Sequence, residues 1–157
     1  MKLNRFIFVL IAIVGNLILS VLLSLIAGFL SEEALDISFF KDQSLIVIFL
    51  ISVVFAPIFE TLVFQYVIIE GVYFLMKMNK KSFLIGIVLS SILFGLSHFY
   101  NWIYVFLATI QGISFALVYN VAKKRKDMSP FIITWVTHIF LNVFAFLMND
   151  IFSVDFP

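Results

Sequence analysis

"SLIVIFLISVVFAPIFETLVFQYVIIEGVYFLM", residues 44–76, is an apolar run of 33 residues broken near its middle by Pro57 and Glu60. As a straight helix at 1.5 Å per residue it reaches roughly 50 Å, against a hydrocarbon core of about 30 Å. It therefore reads as a membrane span that tilts, overruns or bends. Pro57 supplies a place to bend, because it lacks an N–H and its ring clashes with the carbonyl four residues earlier, so a kink just before Glu60 is expected. Irregular backbone at that depth is tolerated only where it faces protein or a water-filled cavity.

The rest of the chain has the same character. Of its 157 residues 64% are hydrophobic and 12% charged, about half the charge content of an average soluble domain. Apolar runs at about 6–30, 44–76, 82–99, 103–122 and 130–148, each bounded by charges or turn residues, predict an all-α integral membrane protein with about five transmembrane helices. The length allows one membrane domain, 1–157, in which 1–43 supplies the first span and an outer loop. The N-terminal run has a charged head like a signal peptide, but it is too long and has no A-x-A-like cleavage site, so it reads as an uncleaved span. Ser20, Ser24 and Gly28 follow one another at four-residue intervals on it, a small-residue stripe expected to serve close packing only.

Charge sets the orientation. Lys2 and Arg5, then Lys77, Lys80 and Lys81, then Lys123, Lys124, Arg125 and Lys126 fall in segments that alternating helices bring to one side. The other side receives the acidic or neutral segments "SEEALDISFFKDQ", "YNW" and "NDIFSVDFP". The positive-inside rule then gives an inner N-terminus and an outer C-terminus in a multi-pass protein of the cell membrane. A net charge of +1 without a basic stripe argues against a nucleic-acid partner, and zero cysteines exclude disulfides, thiol nucleophiles and Cys-ligated metals.

Apart from tyrosines, the spans contain four ionisable side chains: Glu60, Glu70, His98 and His138. Each is costly at depth, about 2.5 to 3.5 kcal/mol for a charged group on insertion scales, so each is a functional candidate. Glu70 has an ordinary explanation, since it lies two turns from Lys77 and can snorkel to the interface. Glu60 follows the proline with no basic residue within four turns; its ordinary role would be a protonated acid bonded to a neighbouring helix. The histidines would ordinarily be neutral bridges between helices. Yet His138 has Asn142 four residues on, on the same helical face, so a glutamate, two histidines and an asparagine form a polar set on three helices.

Peptide hydrolysis needs a base for water, a donor for the leaving amine and donors for the oxyanion. Glu60 can be the base, His98 can orient and polarise the water, and Asn142, with or without His138, can offer N–H groups to the oxyanion. The same Glu60, His98 and His138 are also the ligand set of a catalytic zinc with one open position, and spacing does not decide between a metal-free site and zinc.

"APIFETLVFQ" (56–65), "FGLSH" (94–98) and "HIFLN" (138–142) resemble, in order and helix spacing, the three signatures of the CAAX protease and bacteriocin-processing (CPBP, or Abi) family of intramembrane endopeptidases. These are EExxxR after a proline, FxxxH, and HxxxN. The resemblance makes 44–146 the catalytic core. It implies an α-helical core in which Glu60 and His98 activate water and His138 and Asn142 bind the oxyanion, with both metal-dependent and metal-free mechanisms proposed. The chain departs from the first signature: Thr61 and Gln65 replace a glutamate and an arginine. Those positions are four apart, so a charged pair is expected to have become a neutral, hydrogen-bonding, supporting pair.

The expected partners are the lipid bilayer and a peptide or membrane-protein substrate. The alternatives are a catalytically lapsed bacteriocin-immunity or binding protein of the same fold, and a proton-coupled transporter, for which five spans offer no two equal inverted halves. Counted from the inner helix ends, His98 lies about 24 Å up and His138 about 12 Å up, so straight, level helices would not bring them together.

Overall fold

The computed structural model describes residues 3–31 and 43–152. Lys2, the segment 32–42 and the tail after Phe152, all used in the charge argument, lie outside them. Five helices are long and apolar enough to cross a membrane: α1 Arg5–Leu30, α2 Leu45–Met76, α3 Lys80–Ser97, α4 Trp102–Arg125 and α5 Pro130–Ile151. The expected runs are therefore found within a few residues.

Polar side chains fix where the helices begin. Asn4 accepts from the Phe6 N–H at 2.8 Å, Asn101 from Tyr104 at 2.8 Å, and Asn79 forms a reciprocal box with Ser82. Ser129 precedes Pro130, whose missing N–H costs nothing in a first turn. Each such cap satisfies a backbone donor that lipid or a dry interior leaves stranded.

The apolar residues face outward as well as inward. Phe29 is 91% exposed and Phe6 75%, as expected where lipid replaces water. Ten residues of α4 are buried against four of α1, which makes α4 the central helix. Its sequence explains this, since Ala108, Gln111, Gly112, Ala116 and Asn120 are small or polar and need protein neighbours. Helices α3 and α4 approach closely at two glycines. A Cβ on Gly95 would lie 2.8 Å from the Val105 carbonyl, and one on Gly112 would lie 3.2 Å from the Ser91 Cα.

The basic helix ends gather at one end of the bundle. The Arg125 guanidinium donates to the Leu3 carbonyl at 2.6 Å and to Asp127 at 3.0 Å, and Arg5 lies 3.7 Å from Asp127. Asp127 sits in the turn between α4 and α5, where the Arg125 hydrogen bond holds its carboxyl below the usual carboxylate range. Glu70, for which the sequence offered an ordinary structural explanation, has Lys123 on α4 as its ion-pair partner. It accepts from Lys123 Nζ at 2.6 and 2.7 Å and from the Tyr119 hydroxyl at 2.7 Å, so it ties α2 to α4. Glu70→Gln should destabilise the protein by about 1 to 3 kcal/mol, because Lys123 loses its counter-charge. In a Lys123→Met background the same change should cost less than half as much, as read by thermal unfolding in detergent.

Candidate active site

The site begins with an irregularity in α2. Two stretches, Leu50–Phe55 and Thr61–Ile68, have π-helical turns, and they flank a short α segment, Ala56–Glu60, that contains Pro57. The Ala56 N–H bonds the Ile51 carbonyl, five residues back. In that register the next carbonyl, Ser52, should receive the N–H of residue 57, and proline has none. Asn142 on α5 fills the gap, donating from Nδ2 to the Ser52 carbonyl at 2.7 Å. Pro57 thus exposes the acceptor that orients Asn142. One N–H of the carboxamide is used in this way and the second remains for another acceptor.

His98 caps the C-terminal end of α3, and its imidazole folds back over the last turn. Its Nδ1 lies 2.8 Å from the Phe94 carbonyl. A carbonyl only accepts, so Nδ1 carries a proton, and in the neutral ring Nε2 is left as a lone-pair acceptor. That Nε2 is 3.7 Å from Glu60 Oε2. His138 Nε2 lies 3.6 Å from the same oxygen. The His138 ring is packed 4.4 Å from Phe115 and 5.9 Å from Phe94, centroid to centroid, and its Nδ1 is buried with no hydrogen-bond partner among the described residues.

Both separations exceed a direct hydrogen bond. A water can lie about 2.8 Å from both members of either pair, which is the spacing a bridging water needs. The difference in height counted along the helices does not keep the histidines apart. Both reach one glutamate oxygen, which requires α3 and α5 to tilt or to start at different depths.

Around these groups is a cavity of about 280 Å³ to which all five helices contribute. Glu60, His98, His138 and Asn142 all line it. So do Ser20 and Ser24, which the sequence suggested were packing residues only; α1 walls the cavity as well as packing on the bundle. Gln111, Tyr100 and Tyr104 are lining residues that sequence reasoning missed. Gln111 donates to Asn16 Oδ1 at 2.7 Å, and Asn16 in turn donates to the Ala12 carbonyl at 2.8 Å, so a chain of amides fastens α1 to α4 beside the site. The signal available in the sequence was that Asn16 and Gln111 are amides in the interior of apolar runs.

Thr61 and Gln65 behave otherwise than expected. Both are fully buried, neither lines the cavity, and the side-chain polar atoms of both have no hydrogen-bond partner among the described residues. The expected Thr61–Gln65 hydrogen bond does not form. The π-helical turn that starts at Thr61 winds with more than four residues per turn, so residues four apart are no longer stacked as in an α-helix. Among the described residues no group of three His, Cys, Asp or Glu side chains is arranged to hold a metal ion.

The sequence matches the family model described as "Type II CAAX prenyl endopeptidase Rce1-like" over residues 42–144. No curated protein and no solved structure matches the chain.

Proposed function

The chain belongs to the Rce1-like type II CAAX prenyl endopeptidase family, and on that premise we propose that it is an intramembrane endopeptidase hydrolysing a peptide bond of a membrane-associated peptide or protein. The observation that carries the reading is the convergence of both imidazole Nε2 atoms on Glu60 Oε2, at 3.7 and 3.6 Å, inside the cavity. Residues 44–146 form the catalytic core, and 1–43 add a span that closes it on one side. The N-terminus and the basic ends face inside, the C-terminus faces outside, and α2 bends at Pro57.

In this mechanism one water donates its two hydrogens to acceptors, ionised Glu60 Oε2 and His98 Nε2, which turns an oxygen lone pair toward the scissile carbonyl. As the oxygen bonds to the carbonyl carbon, its proton passes to Glu60 and the carbonyl becomes an oxyanion. His138, with its proton on Nε2, and the second N–H of Asn142 donate to that oxyanion. The C–N bond then breaks, and the proton held by Glu60 goes to the leaving amine. Water has been added across the peptide bond and Glu60 is ionised again.

The test is cleavage of a membrane-peptide library by the purified protein, with and without chelator. Cleavage that persists under chelation supports this mechanism. Loss on chelation with recovery on added zinc would make Glu60, His98 and His138 metal ligands. If wild type cleaves nothing and Glu60→Gln still gives full protection in cells, an immunity or binding role replaces the enzyme. Proton-coupled uptake in vesicles that Glu60→Gln abolishes would instead favour transport.

Pro57 provides a separate prediction. Pro57→Ala restores an N–H that can reach the Ser52 carbonyl and compete with Asn142. Losing an oxyanion donor outright costs about 10² to 10³ in kcat, so loosening one should cost less, about tenfold, with KM nearly unchanged. Steady-state kinetics checks the split.

A further inference from the structure

A second cavity, of about 890 Å³, lies where the end of α2, the start of α3 and the end of α4 meet, and it has no part in the peptidase reading. Lys80, Lys123, Lys124 and Lys126 line it, with Tyr73 and Phe83 as aromatic wall. Lys123 is neutralised by Glu70. No ion pair is formed by Lys80, Lys124 or Lys126 among the described residues, and Lys124 Nζ stands over the Phe83 ring at 3.9 Å. Three uncompensated cations around one concavity repel each other, although all three are exposed. An anion with several oxygens, able to accept from more than one ammonium at a time, relieves it.

The setting indicates the source of that anion. The same helix ends expose Phe74 at 86%, Leu75 at 80% and Met78 at 65%. An apolar surface beside a basic pocket at the end of a helical bundle is the environment of a lipid headgroup with its acyl chain alongside, and basic pockets between spans take acidic headgroups. We infer that this cavity binds a phosphate group, and the exposed apolar surface favours an anionic membrane lipid over a soluble phosphate as its carrier.

The experiment titrates the purified full chain with phosphatidylglycerol, phosphatidylcholine and inorganic phosphate in separate arms, counting bound adducts by native mass spectrometry. Two double variants remove equal charge: Lys80→Gln with Lys124→Gln in the cavity, and Lys77→Gln with Lys81→Gln outside it. All four lysines are exposed, and circular dichroism checks that both variants keep the helical fold. Wild type should bind phosphatidylglycerol well above phosphatidylcholine. The cavity variant should bind phosphatidylglycerol about tenfold more weakly, while the outer variant changes by less than about twofold. If inorganic phosphate alone binds and is lost in the cavity variant, the site stands with a soluble ligand. Equal losses in the two variants, equal binding of the two lipids, or no binding in any arm would overturn it. Peptidase activity does not enter the readout, so the inference stands or falls independently of the proposed function.

Discussion

Glu60→Gln should lower kcat by about 10² to 10⁴, the usual contribution of a positioned general base, while leaving the helical fold and substrate binding intact. Glutamine keeps the shape of glutamate and can still face His98 and His138 across 3.7 and 3.6 Å. What it cannot do is take a proton from water. His98→Ala should act on the same step, since it removes the acceptor that the Phe94 carbonyl bond creates at Nε2. The double variant Glu60→Gln with His98→Ala should then be barely worse than the worse single, because groups that serve one step lose activity together. Effects that simply multiply would place the two residues in different steps. The measurement is single-turnover cleavage of whichever library peptide the wild type processes. Helical content by circular dichroism and peptide binding separate a chemical defect from a folding one.

Gly95→Ala should be the most damaging small change in the bundle. The added methyl meets the Thr109 side chain and lies 2.8 Å from the Val105 carbonyl. Thr109 Oγ1 itself donates to that carbonyl at 2.8 Å, so side chain and backbone are both obstructed. Overpacking of this kind costs about 1 to 3 kcal/mol. Here it also moves the end of α3, and with it Phe94 and His98, so activity should fall further than stability alone explains. Thr109→Ala should recover part of the loss, because it removes the hydroxyl and leaves the carbonyl and the residue-109 Cβ, 3.0 Å from the added methyl. Gly71→Ala is the control: nothing lies within 4 Å of its added methyl, and a glycine removed from a helix interior should leave stability unchanged or slightly raised. Thermal unfolding of the three variants in one detergent decides it. A Gly95→Ala protein as stable as Gly71→Ala would mean that α3 and α4 are not held this closely.

The departures at Thr61 and Gln65 acquire a physical sense in the structure. A charged pair at two fully buried positions is tolerable only while both partners are present. With neutral residues at both positions no such pairing is needed, and Glu60 is the carboxylate that lines the cavity. The side-chain polar atoms of Thr61 and Gln65 have no hydrogen-bond partner among the described residues, so the two are not joined by a hydrogen bond.

The sequence by itself determined an all-helical chain with five helices long and apolar enough to cross a membrane, and placed their ends within a few residues. Those features follow from sums over neighbouring residues: apolar transfer energy accumulates along a run, and Asn79, Asn101 and Ser129 cap the helix that follows them within three residues. It also singled out Glu60, His98 and His138, because ionisable groups are few within the apolar runs, and Asn142, because it shares a helical face with His138; all four fall in a family's signatures. Only the tertiary structure decided what each of these atoms faces. Whether His98 Nε2 is a donor or an acceptor depends on one 2.8 Å contact to Phe94, and Asn142 is held by a carbonyl that a π-helical turn and a proline expose 90 residues away. Ser20, Ser24 and Gln111 entered the cavity wall, and Glu70 found Lys123, through helix rotations and depths that no local sum encodes. Hydrophobic burial tolerates errors of several ångströms; a hydrogen bond is gained or lost within half of one, and that precision is supplied by the packing of the five helices together.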